Sequence, residues 1–254
     1  MKKIRKIYEQ LLSYYGEQGW WPILINQNDI NKFQEKKYKT KFHKIINSQY
    51  YSVYSTEFKN REKTENEKLE IMIGVILTQS VNWKNVELAL AKLKEKNCLN
   101  IDCLKEITLT ELSELIKSSG YKNQKAKKIK ELIQYLNRKK WLTHNSITRQ
   151  ELLNIWGIGN ESADSILLYA FDKSFFVVDA YTKRLFNRLG IIQSVDYMQI
   201  QNFIQNNIEK NYKIYNEFHA LIVEHSKTLC QSKPKCDICP LKEICKTYDT
   251  KSKI

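Results

Sequence analysis

Four cysteines fall within sixteen residues: Cys230, Cys236, Cys239 and Cys245, in the spacing C-x5-C-x2-C-x5-C. Thiols crowded in this way suit a metal centre, either a four-cysteine zinc or a [4Fe–4S] cluster. Structural zinc usually arrives as two paired C-x2-C knuckles, and only one such pair occurs here. The compact run directly after a helical segment therefore favours the iron–sulfur cluster over zinc. Cys98 and Cys103 read as simple buried or surface thiols.

A second pattern lies upstream. The segment LLNIWGIGNESADSILLYAF reads as helix, Gly157-Ile158-Gly159 turn, helix. Glycines let a backbone approach a ligand closely. The dipole of the following helix adds its pull on an anion, so such a turn can hold a phosphate with backbone alone. Asp179 ends the apolar run FFVVD and opens another helix, a place where an aspartate serves as an N-cap. Between Lys117 and Lys140, nine basic residues face the single acid Glu131. That window holds more than half of the chain's net charge of +14. Lysine and arginine neutralise phosphates and release counterions, so a polyanion partner is expected.

The elements that must position these residues are helical. The 254 residues contain only 7 glycines and 3 prolines, too few turn formers for a many-stranded sandwich or propeller. Ile4, Ile7, Leu11 and Leu12 recur at helical spacing with Gly16 as a cap. Thr108-x-x-Glu111 and Thr148-x-x-Glu151 are capping boxes. LEIMIGVILTQ reads as a buried helix, and further helices fit 195–209 and 212–229. The polar stretch 26–66 has no clear period and reads as an insertion or surface excursion. No strand pattern competes, so the expectation is all-α with about ten helices. No apolar run nears the roughly 18 residues of a membrane span. The opening MKKIRKIYEQLLSYYG starts like a signal peptide, but Glu9, Gln10 and the tyrosines interrupt it. A cytoplasmic protein, nucleoid-associated if bacterial, is expected.

Together these motifs resemble the helix-hairpin-helix DNA glycosylases of the endonuclease III (HhH-GPD) superfamily. The residues that carry the resemblance are Leu77-Thr78-Gln79, Ser119-Gly120-Tyr121-x-x-Gln124-Lys125-Ala126, Leu153-x-x-Trp156-Gly157-Ile158-Gly159, Val177-Val178-Asp179 and the four-cysteine tail, in order over 68–254. The resemblance implies a two-lobed helix-hairpin-helix glycosylase fold with a C-terminal iron–sulfur cluster loop. Residues 1–74 would be an N-terminal helix and insertion packed with the C-terminal lobe. Residues 75–190 would form a six-helix barrel with its hairpin at 150–171, and 191–254 the C-terminal helices and cluster loop. The partner implied is double-stranded DNA with a damaged base, bound by a monomer with no membrane.

Within that superfamily, bifunctional members carry a lysine in the second hairpin helix that forms a Schiff base. The matching position here is Glu161, which cannot form an imine, so lyase action there is excluded. The first cysteine gap is five residues where endonuclease III typically has six. Gly19-Trp20-Trp21-Pro22, Ile76-Leu77-Thr78-Gln79 with Trp83, the hairpin through Asp164, and Phe218–Glu224 are similar to the 3-methyladenine DNA glycosylase III group. Members without a cluster are known there, so this chain would be a cluster-bearing relative.

The resemblance assigns roles to individual residues. Asp179 would stabilise the oxocarbenium-like sugar and orient water. Trp20, Trp21, Pro22 and Trp83 would form the base pocket, offering π-faces to a cationic N-alkylated purine. Gln79 would fill the gap left by the flipped nucleotide. Lys125, the hairpin backbone at Gly157, Ile158 and Gly159, and Lys233 and Lys235 beside the cysteines would meet DNA. His219 reads as an ordinary helix histidine. Two alternatives stay open: a glycosylase/lyase for oxidised pyrimidines using Lys122 or Lys125, and a non-catalytic binder of damaged DNA.

Overall fold

The computed structural model describes residues 2–33, 38–139 and 147–251. Lys140 of the basic window and residues 34–37 of the insertion lie outside them. The chain forms two compact units, residues 1–20 with 173–254, and residues 21–172. The sequence-based boundaries after 74 and 190 fall inside these units.

The discontinuous unit begins with α1 (Lys2–Tyr15). Its Ile4, Ile7 and Leu11 are fully or almost fully buried, as the helical period requires. Gly16 ends it at φ 68°, its N–H donating to the Leu12 carbonyl at 2.8 Å.

The continuous unit opens with a small sheet, which corrects the all-α expectation. Strands β1 (Ile23–Asn26), β2 (Thr40–Lys44) and β3 (Tyr50–Ser55) pair antiparallel in the order β1-β3-β2. Val53 stands opposite both Ile23 and Phe42 and is fully buried. The strands hold four to six residues each, too short to display a period, and lysine, histidine and serine interrupt their apolar positions. The tyrosines and Val53 of β3 were the β-prone signal.

Helices α2 (Glu65–Leu77), α3 (Trp83–Glu95), α4 (Ile101–Glu106), α5 (Leu109–Leu115), α6 (Lys122–Lys139), α7 (Arg149–Leu153) and α8 (Asn160–Tyr169) complete the unit. α2 is the central rod: Lys68 through Leu77 are all buried, and it packs on β1, α3, α6 and α8. Thr64 and Glu67 cap it reciprocally, a box matched at Thr108–Glu111 and Thr148–Glu151. Cys98 and Cys103 are joined by a disulfide that closes the turn into α4, not the two thiols expected.

The sheet is fastened to this rod by one buried carboxyl. Glu70, 1% exposed, accepts the Leu24 N–H at 2.7 Å and lies 2.6 Å from the Lys94 ammonium. Lys94 also donates to the Leu24 carbonyl. Both backbone groups of one strand residue are thereby satisfied by side chains of α2 and α3.

The discontinuous unit resumes with α9 (Ala180–Arg188), α10 (Tyr197–Asn207), α11 (Tyr212–Thr228) and the short α12 (Lys246–Lys251). α11 packs against both α1 and α9. Phe218 is the hub, with Tyr8, Phe176 and Phe186 rings at 5.5, 5.6 and 6.4 Å. Among the described residues no helix is long and apolar enough to cross a membrane.

Candidate active site

The hairpin is rigid by construction. Arg149 at the start of α7 forks onto Asp164 of α8 at 2.6 and 3.1 Å and onto Asn160 at 2.9 Å. Asp164 is fully buried, so the fork is a desolvated, charge-assisted link between the two helices. Gly157 sits at φ +86°, where a side chain would be strained, and a Cβ there would also have to displace the Lys128 side chain, whose Cγ would lie at 2.5 Å. Gly159 is the N-cap of α8, exposed, with no side-chain cap and open space where a Cβ would be. The first-turn amides of α8 are therefore approachable. Ile158 is buried and anchors the turn.

Gln79 is tied to this turn. Its Nε2 donates to the Gly157 carbonyl at 3.2 Å and to Ser162 Oγ at 3.0 Å, and its Oε1 accepts from Lys128 at 2.6 Å. Lys127 stacks over the exposed Trp156 ring at 4.6 Å. Lys125, expected at the DNA backbone, is instead 2% exposed. Its Nζ donates to the carbonyls of Leu77, the last residue of α2, and Ser119, the last of a short turn (Lys117–Ser119) after α5, at 2.8 and 2.5 Å. Burial, with Lys128 nearby, pushes it down to about 8. A lysine so enclosed caps carbonyls and does not reach a phosphate.

Three of the pocket candidates lie in the continuous unit. Trp21 is buried and sets its ring edge-on to Trp83 at 5.2 Å and tilted against Tyr169 at 5.3 Å. Pro22 is buried beside it. Trp83 is half-buried, and its Nε1 donates to Glu87 at 2.7 Å. Trp20 is half-buried and belongs to the other unit.

Asp179 also belongs to that unit. It is the N-cap of α9, its Oδ1 accepting the Thr182 N–H at 2.7 Å. Its Oδ2 faces His219 Nε2 at 3.5 Å. Burial raises the carboxyl, but His219 and the Thr182 bonds outweigh it and hold Asp179 below its ordinary value of 3.8. A carboxylate that is nearly enclosed yet kept ionised can stabilise a developing cation. His219, an ordinary helix histidine by its sequence, is the residue that local pattern conceals; nothing in FHALIVE marks it as facing Asp179.

The cysteine tail wraps one cavity. Cys230, Cys236, Cys239 and Cys245 line it together with Leu185, Leu189, Leu229 and Leu241. Arg188 reaches Cys230 Sγ at 3.4 Å, and the Leu241 N–H donates to Cys239 Sγ at 3.4 Å. Burial, helped by the three other cysteines, pushes the Cys239 thiol up to about 11. Lys233 and Lys235 are both exposed on the same loop.

Residues 73–210 match the HhH-GPD superfamily base excision DNA repair protein family. The chain belongs to this superfamily. A relative from Methanocaldococcus jannaschii, named "Putative DNA repair glycosylase MJ1434", is 39% identical over 95% of both chains. The solved structure of a Helicobacter pylori 3-methyladenine DNA glycosylase (MagIII) bound to 1,N6-ethenoadenine is 30% identical at TM-score 0.58, covering 67% of this chain and 92% of that one. An endonuclease III–DNA complex shares the fold at TM-score 0.71 and 18% identity over 100% and 98% of the two chains. This HhH-GPD chain is thus a base-excision DNA glycosylase, acting on N-glycosyl bonds.

Proposed function

We propose that this glycosylase is monofunctional and removes alkylated purines from duplex DNA with Asp179 as the catalytic carboxylate. The observation that carries the reading is the pairing of two acids: Glu161 occupies the first turn of α8, where a lyase needs lysine, and Asp179 is held ionised by His219. Of the lysines weighed as substitutes, Lys125 is enclosed and Lys122 is bonded to Glu114. The H. pylori relative, titled a 3-methyladenine glycosylase, supports the substrate class. An alkylated purine is a good leaving group, so strong acid catalysis is dispensable, and a carboxylate that stabilises the sugar cation and orients water suffices. Trp83, backed by Trp21, would present its ring to the electron-poor base, and Trp20 would add a further indole. The approachable amides at Gly159 would take a backbone phosphate, and Gln79 would enter the stack in place of the flipped base.

The four cysteines fit a [4Fe–4S] cluster. They are free thiols around a cavity with apolar walls, with an arginine and an amide N–H already directed at sulfur. Among the described residues no three His, Cys, Asp or Glu side chains converge closely enough to hold a single metal ion. Bound there, the cluster would supply a rigid staple for the tail and present Lys233 and Lys235. Arg184 and Arg188 already hold the same loop by the Cys230 and Ser232 carbonyls.

The deciding experiment is base release from methylated genomic DNA, with chromatography of the freed bases and borohydride trapping on abasic DNA. Free alkylated purines without a trapped adduct are expected. A covalent adduct, or release of oxidised pyrimidines alone, would overturn the reading.

A further inference from the structure

Glu87, on α3, is 8% exposed, and its Oε1 accepts from two neutral donors: Trp83 Nε1 at 2.7 Å and the Tyr54 hydroxyl at 3.4 Å. Burying a carboxylate against neutral donors is unfavourable, because hydrogen bonds recover only part of the lost hydration. Packing alone would be served by an apolar side chain. Tyr54 comes from β3, in the polar stretch whose sequence reads only as an insertion, and its ring lies tilted against His43 of β2 at 4.9 Å. Burial, with the charge of Glu87 next, pushes the Tyr54 hydroxyl far above its ordinary value, so it stays a donor.

Trp83 turns its N–H inward to this carboxylate, so what the half-buried residue leaves at the surface is not its donor. An indole whose N–H donates to an anion gains electron density over its ring. That deepens the negative face and strengthens attraction for a cation. Trp21 packs against the Trp83 ring at a right angle, centroids 5.2 Å apart, and helps to fix it.

We propose that Glu87 is a specificity-determining positioning residue: through Trp83 it tunes the base pocket for a positively charged purine, and the sheet supplies Tyr54 to hold it. Glu87 does not touch the base; it orients the indole and charges its face. The selectivity lies between cationic N-alkylpurines and neutral purine lesions of the same size. This rests on the alkylpurine reading above, and deepens it by naming charge as the selected property.

The test measures dissociation constants for two duplexes that resist cleavage. One holds 2′-fluoro-7-methylguanine, which is cationic; the other holds 3-deaza-3-methyladenine, which is neutral. Wild type should bind both more tightly than undamaged duplex. Glu87→Gln keeps the shape and the acceptor but removes the charge. It should weaken the cationic duplex by about fivefold or more and leave the neutral one within about twofold. Tyr54→Phe removes the second donor that holds Glu87 against Trp83 and leaves the indole in place, so it reports the selective loss even if the Glu87 variant fails to fold. Equal weakening of both duplexes, or of neither, would overturn the proposal while leaving the alkylpurine reading intact. Wild type that prefers neither methylpurine over undamaged DNA removes the alkylpurine reading, and this proposal with it.

Discussion

Asp179 Oδ2 and His219 Nε2 face each other at 3.5 Å, one at the cap of α9 and the other midway along α11. The histidine is the largest influence opposing burial on the carboxyl. Because the folded value lies below 3.8, the charge is fully present above that pH and is lost only as pH falls further. Wild-type base release should therefore show no acid limb from Asp179 above about pH 4. His219→Gln removes the partner that offsets burial at Asp179, so burial dominates and the acid limb moves to higher pH. Single-turnover rates between pH 4 and 8 read this directly. Asp179→Asn should lower the neutral rate by about 10²–10⁴-fold with DNA binding retained. An unchanged acid limb in the His219 variant removes the histidine from the account.

Gln79 holds the hairpin and Lys128 at the same time, through Gly157, Ser162 and the lysine amine. To fill a gap in the stack it must release some of these bonds, while a lesion without a pairing partner needs less help to leave. Gln79→Ala should therefore slow release from a paired lesion by about tenfold, and much less when the lesion lies opposite an abasic site, since unpairing costs a few kcal/mol. Rates on the two substrates check it; equal slowing would mean that Gln79 only stabilises the hairpin.

Helices are legible in the sequence wherever a period runs long enough. Ile4, Ile7 and Leu11 face inward, and Thr64, Thr108 and Thr148 start helices by side-chain caps, the last two readable as capping boxes. Gly157 is legible because its φ of +86° needs a glycine, whereas Gly159 has open space where a Cβ would be. The sheet is not, because its strands are shorter than any period. Lys125 misleads because charge in a sequence does not say whether a side chain turns outward. The Asp179–His219 and Glu87–Tyr54 relationships span 40 and 33 residues, beyond any local pattern.

The Glu70–Lys94 pair ties the sheet to α2 and α3, and its carboxyl is almost wholly enclosed. Lys94→Met leaves that carboxyl without its cation, which costs about 3–5 kcal/mol in comparable buried pairs. Burial already raises Glu70 above 4.5, and the lysine pulls it back. In the variant the folded value rises further, so the folded state binds the extra proton and stability falls as pH rises through that value. Urea melts should show a larger loss at pH 8 than at pH 5. A loss independent of pH would locate the damage in packing.

The cysteine loop has little core of its own. Arg184 and Arg188 hold its backbone at Cys230, yet its short turns at Cys236–Ile238 and Lys242–Ile244 contain no buried residues. Such a loop depends on what its thiols bind. Protein purified without oxygen should contain iron and acid-labile sulfide at about four each per chain. Cys236→Ala should lose both, melt at lower temperature and bind duplex DNA more weakly, because Lys233 and Lys235 lose their support. Asp179→Asn should keep the full iron content while losing base release, which separates the staple from the chemistry. One zinc per chain, or a metal-free protein with unaltered melting and DNA affinity, would rule out the cluster.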